Sequence, residues 1–174
     1  MVSLYVLSIL GLLVLVGIGK LVSNALTGSK EVGPTPQRVP IEARAPASSH
    51  RVVSLHAGAP LAAQLREHAA VAEEQRLRPF LEFGAMWCPP SRMFGEILGD
   101  PRMVAALSGV YLIRVELDDF SGDPLARELG VVAVPVFFEL DAAGQSTGRS
   151  VTGGAWGDDT IENMARTMTR FFAA

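Results

Sequence analysis

A single cysteine, Cys88, stands in the whole chain, and that scarcity excludes an internal disulfide, a disulfide-stapled scaffold and dithiol chemistry within one molecule. Positive charge is also in short supply. Lys+Arg number 15 against 18 Asp+Glu, for a formal net charge of -3, and no basic cluster or basic helix offsets this locally, so nucleic acid is not expected as a partner. The three histidines, His50, His56 and His68, lack metal-ligand spacing. Asp118, Asp119 and Asp123 lack the regular spacing and distal glutamate of a calcium hand and read as a solvated loop. Neither a metal nor a cofactor is expected.

What the chain does have is apolar sequence: 49% of its 174 residues are hydrophobic, enough for one well-cored domain with sequence to spare. Much of the surplus lies at the amino end. Val2 to Gly19, "VSLYVLSILGLLVLVGIG", is a run of about 18 uncharged residues, near the lower limit for a helix that spans a bilayer. Residues 1–26 therefore read as a membrane anchor or, with Ser23 and Ala25 at the −3 and −1 positions of a cut, as a secretory signal that lacks the basic leading region. Lys20, Lys30, Arg38 and Arg44 follow the run, and by the positive-inside rule alone they would keep the rest in the cytoplasm. Residues 27–50, with Pro34, Pro36, Pro40 and Pro46 and little apolar periodicity, read as an extended linker.

The globular part spans 51–174. "RVVSL" is a strand; from Pro60 to Arg78, Leu61, Leu65, Ala69 and Ala72 recur at helical spacing; Arg78-Pro79 ends that helix, and "FLEFGA" is a strand running into Trp87-Cys88. Asp100 before Pro101 and Asp123 before Pro124 each combine an N-cap with proline at the first helical position. Strands are expected at Val110 to Leu117, Val134 to Leu140 and Gly148 to Thr152, and a last helix begins at Asp159 with Glu162 three residues on. The order βαβαβαββα implies a three-layer α/β sandwich around a mixed sheet.

That order, with Trp87-Cys88 after the second strand, Val134-Pro135 about 46 residues later and a closing hairpin, resembles the thioredoxin fold. In "FLEFGAMWCPPSRMF", "LGDPRMVAAL", "LARELGVVAVPVFFELDAAGQ" and "VTG" the chain is similar to the carboxy-terminal thioredoxin-like domain of DsbD-type transmembrane disulfide reductases. Such domains work outside the cytoplasm. The resemblance thus implies a single-pass membrane protein with a periplasmic domain, against the charge rule.

Cys88 is expected at a helix amino terminus, where free N–H groups and the helix dipole favour a thiolate nucleophile. Pro89 and Pro90 suit the first turn. Ser91 occupies the position of the family's resolving cysteine; its hydroxyl can donate to the sulfur but cannot attack a disulfide. The resemblance further assigns Glu82 as the buried acid behind the cysteine, unless it reaches water from a strand edge. It also assigns Pro135 as the cis-proline beside the sulfur, Val134 as backbone for an extended substrate, and Trp87 as a shield that a plain core aromatic would mimic. The function implied is one-thiol exchange with protein disulfides or thiols, released by an external glutathione-like thiol. The alternative is a non-catalytic module that binds protein in the same groove.

Overall fold

The computed structural model describes residues 50–174. The anchor-or-signal reading of 1–26 and the linker before His50 fall outside the described residues. Among the described residues no helix is long and apolar enough to cross a membrane.

Five strands, β1 (Arg51–Leu55), β2 (Arg78–Gly84), β3 (Val110–Glu116), β4 (Val136–Leu140) and β5 (Ser146–Thr152), form one sheet in the order β1-β3-β2-β4-β5. β1, β3 and β2 run parallel, whereas β4 and β5 are antiparallel to their neighbours, so the sheet is mixed as expected. The helices are α1 (Leu61–Glu74), α2 (Pro89–Glu96), α3 (Pro101–Ala106), α4 (Leu117–Phe120), α5 (Pro124–Glu128) and α6 (Ile161–Ala173).

Side chains alternate across the central strand, which separates two cores. Leu81 and Phe83 of β2 pack with Leu61 and Leu65 of α1 and with Phe120 on one face; Phe80 packs with Phe94 of α2, Met103 of α3 and Met164 and Met168 of α6 on the other. Each large side chain fully buried in this way contributes about 1.5–3 kcal/mol. Glu82 lies on the Phe80 face, the side that α2 covers.

Local chemistry fixes the ends. Asp100 accepts from the Arg102 N–H at 2.9 Å, and Asp123 from the Leu125 N–H at 2.9 Å, so both expected caps form. Asp123 also takes the Leu61 N–H at 2.9 Å and ties α1 to the loop before α5. β4 and β5 begin at Val136 and Ser146 rather than Val134 and Gly148, and two helix boundaries also differ from expectation. α1 stops at Glu74 rather than Arg78: Arg76 adopts φ 58°, the Leu77 N–H turns back to the Ala72 carbonyl, and Arg78-Pro79 opens β2. The cap of α6 is Thr160, which accepts from the Asn163 N–H, while Asp159 instead accepts from Trp156 Nε1 at 2.8 Å.

Candidate functional site

β2 delivers the chain to a turn in which the Cys88 N–H bonds the Ala85 carbonyl at 3.0 Å, and Cys88 is the N-cap of α2 with Pro89 and Pro90 in its first turn. The residue is 6% exposed. Its thiol donates to the Val134 carbonyl at 3.3 Å, and the Val134-Pro135 peptide is cis. Four of the expected site residues, Cys88, Pro89, Val134 and Pro135, thus meet where α2 begins and the segment before β4 passes.

Ser91 lies in the same helix but looks elsewhere. It is 3% exposed, and its hydroxyl finds no partner among the described residues, so the expected donation to the sulfur is not made in this geometry. A Cβ placed at Gly84 would meet Glu82 Oε1 at 3.2 Å and Ser91 Oγ at 3.8 Å, which locates the serine beside the acid on the strand.

Glu82 is fully buried in the middle of the sheet, between β3 and β4, rather than at an edge reaching water. Register explains its partner. β2 and β3 align Glu82 with Arg114, whose Nε and Nη2 donate to the two carboxylate oxygens at 2.5 and 3.1 Å. Burial pushes the Glu82 carboxyl above its ordinary range, and the Arg114 guanidinium opposes but does not cancel that rise.

Trp87 is 61% exposed, so it is not a core aromatic; that role belongs to Trp156, which packs against Phe94 and Phe137. Trp87 Nε1 donates to Asp118 at 3.3 Å. The preceding peptide is held from both sides: the Met86 N–H donates to Glu116 at 3.0 Å, and Arg92 donates to the Met86 carbonyl at 2.9 Å. Met86, Trp87 and Val132 are the exposed large apolar side chains of the loops leading to Cys88 and Val134.

Sequence reasoning gave no role to Arg114, Glu116, Arg92 or Gly153. The last of these supports the proline: the Gly153 N–H donates to the Pro135 carbonyl at 2.8 Å, and a Cβ there would lie 3.0 Å from Pro135 Cδ and from Trp156 Cζ2. Gly153→Val is therefore expected to cost about 1–3 kcal/mol through overpacking, read as a lower urea midpoint. It should also raise the rate at which a disulfide reagent reaches Cys88, since the Pro135 segment covers the sulfur. Gly154→Val, with only Thr152 Oγ1 at 3.7 Å, should change neither. Equal effects from the two variants would remove Gly153 from the site.

No protein-family model matches the chain. Thioredoxin H4 of Arabidopsis thaliana is 32% identical over 71 residues, a stretch covering 41% of this chain and 57% of that protein, so the match spans little more than half of the curated relative. Among solved structures, a poplar thioredoxin h superimposes with a TM-score of 0.51 at 14% identity, over 71% of this chain and 98% of that one. A thioredoxin from Nicotiana alata gives 0.48 at 21% identity, over 71% and 94%. The domain has a thioredoxin-like fold.

Proposed function

We propose that this thioredoxin-like domain is a one-thiol redox protein in which Cys88 exchanges with disulfides of partner proteins. The observation that carries the reading is the placement of the chain's single thiol at the start of α2, against the Val134 carbonyl and next to the exposed Trp87, with a serine at the resolving position. The Cys88 thiolate attacks one sulfur of a partner disulfide, a new S–S bond forms, and the other partner sulfur leaves as a thiolate. An external thiolate, of protein or glutathione-like origin, then attacks the partner's sulfur in the mixed disulfide and releases Cys88 as thiolate. Sulfur and charge balance at each step.

The amino-terminal run supports a tether to the membrane, and the likeness of the Cys88 and Pro135 segments to the DsbD-type domain supports work on the extracytoplasmic side. Cells expressing the full chain should yield, after acid quenching and alkylation, disulfide-linked adducts on non-reducing gels, in the carbonate-resistant membrane pellet. Cys88→Ser should yield none. Absence of adducts from the native chain would replace exchange with non-covalent binding in the groove, and adducts found in the soluble fraction would remove the tether.

A further inference from the structure

Charge is one-sided around the Cys88–Val134 contact. The segments that meet there are residues 85–91, 117–122, 129–135 and 152–157, joined by the Trp87–Asp118, Cys88–Val134 and Gly153–Pro135 hydrogen bonds. They contain no lysine, arginine or histidine, and their only charged residues are Asp118 and Asp119, both exposed. Arg92, the next cation along the chain, donates to the Met86 carbonyl at 2.9 Å and lies with Glu96, Glu116 and Asp119 around the cavity behind that turn. Trp87 and Asp118 form a unit on this surface: the indole is 61% exposed, and its Nε1 donates to Asp118 Oδ1 at 3.3 Å. An exposed indole face attracts a cation through its ring quadrupole, and a carboxylate that takes one N–H has acceptor capacity for more. Trp87 adjoins Cys88 in the chain, so whatever lies on the indole lies beside the sulfur.

We infer that the protein segment whose disulfide Cys88 attacks carries an arginine next to its cysteine, with the guanidinium on the Trp87 ring and bonded to the Asp118 carboxylate. The inference rests on the one-thiol reading above and names the partner that suits it. Arginine fits better than lysine because its planar guanidinium stacks on an aromatic face and still has N–H groups at its edge for a carboxylate. A segment with an acidic residue there meets like charge from Asp118 and Asp119, and a neutral one brings neither carboxylate a counter-charge. Met86 and Val132, exposed on the loops that lead to Cys88 and Val134, supply apolar contact for the rest of the segment.

The test uses the purified full chain in detergent and blocked tripeptides with cysteine between two arginines, two glutamines or two glutamates, each cysteine joined as a mixed disulfide to 2-thiopyridine. The Cys88 thiolate attacks the peptide sulfur, a new S–S bond forms, and the pyridine sulfur leaves as a thiolate that takes a proton from water and is read as the thione. Every rate is divided by that of mercaptoethanol with the same peptide, which removes the intrinsic reactivity of each disulfide. The arginine peptide is expected to react at least about threefold faster than the glutamine peptide, and the glutamate peptide more slowly, with the gap narrowing at high salt. Asp118→Asn and Trp87→Leu, at exposed positions, should each bring the arginine-to-glutamine ratio within about twofold of one. Urea midpoints equal to that of the native chain verify that the variants are folded; were one to unfold, the other carries the decision. Equal rates for the arginine and glutamine peptides, or an arginine preference that survives in the folded variants, would overturn the inference and leave one-thiol exchange standing. Failure of all three peptides to react with the protein while they react with mercaptoethanol would remove the exchange itself, and the inference with it.

Discussion

Ser91→Cys should convert the protein into a dithiol reductase that reduces insulin with dithiothreitol at least several-fold faster than the native chain. Under the proposed one-thiol cycle the native protein stops after the first displacement until an external thiol arrives, because a hydroxyl cannot displace a thiolate from a disulfide. Position 91 sits within the first turn of α2, and Cys88 is the cap of the same helix, with the Arg92 N–H bonded to the Cys88 carbonyl at 3.1 Å. One turn rises about 5.4 Å, inside the roughly 4.4–6.8 Å window of Cα separations that a disulfide bridges. The new sulfur has to rotate from the Gly84 side toward Cys88. Insulin turbidity, run with non-reducing gels for the native chain, Ser91→Cys and Cys88→Ser, reads the outcome. Shorter-lived adducts and faster turbidity are expected from Ser91→Cys, and neither from Cys88→Ser. No gain in Ser91→Cys would show that the start of α2 does not bring the two positions together for exchange.

The largest loss of stability is expected from Arg114→Met. This variant keeps most of the packing on Phe94 and removes the cation that, among the described residues, is bonded to the fully buried carboxylate of Glu82. Breaking a buried pair on one side costs about 3–5 kcal/mol; because Arg114 keeps a quarter of its side chain exposed, with 25% relative accessibility, the lower end applies. The loss depends on pH with a definite sign. The folded Glu82 carboxyl already holds its proton more tightly than the unfolded one, whose ordinary value is 4.5. The stability this gives is therefore fully present below about 4.5 and is lost as pH rises through the raised folded value. Without Arg114 the folded value climbs further, so the variant's decline is steeper and reaches higher pH. Urea unfolding at pH 4 and pH 7 should show a small gap between the two proteins at the lower pH and a large one at the higher. A gap that is the same at both would mean that Arg114 acts through packing alone.

Much of this was legible before any coordinates. Caps at Asp100 and Asp123 are local events in which a carboxylate, a proline and the next N–H groups decide the matter within three residues, and both form as read. Along α6 the apolar spacing of Ile161, Met164, Ala165 and Met168 marks one side of the helix; Met164, Ala165 and Met168 are buried and Ile161 partly so. The end of α1 was not legible because the chain reverses at Arg76 with neither glycine nor proline there to signal a positive φ. Thr160 and Asp159 compete for one cap, and the contest is settled by Trp156, which engages Asp159 from the loop before the helix. At the site, Cys88 and Pro135 announce themselves by motif. Arg114 does not, since its pairing with Glu82 follows from strand order and register, which no local pattern encodes. The direction of the Ser91 hydroxyl is likewise a tertiary fact.

The contact between the Cys88 thiol and the Val134 carbonyl has a thermodynamic side. The sulfur is a weak donor and the carbonyl a backbone acceptor beside the loop that carries Trp87. Under the proposed exchange, an extended segment that docks there brings an N–H to the same carbonyl, so the partner and the thiol draw on one acceptor. The fit of a partner is therefore set in part by a contact that lies wholly within the protein.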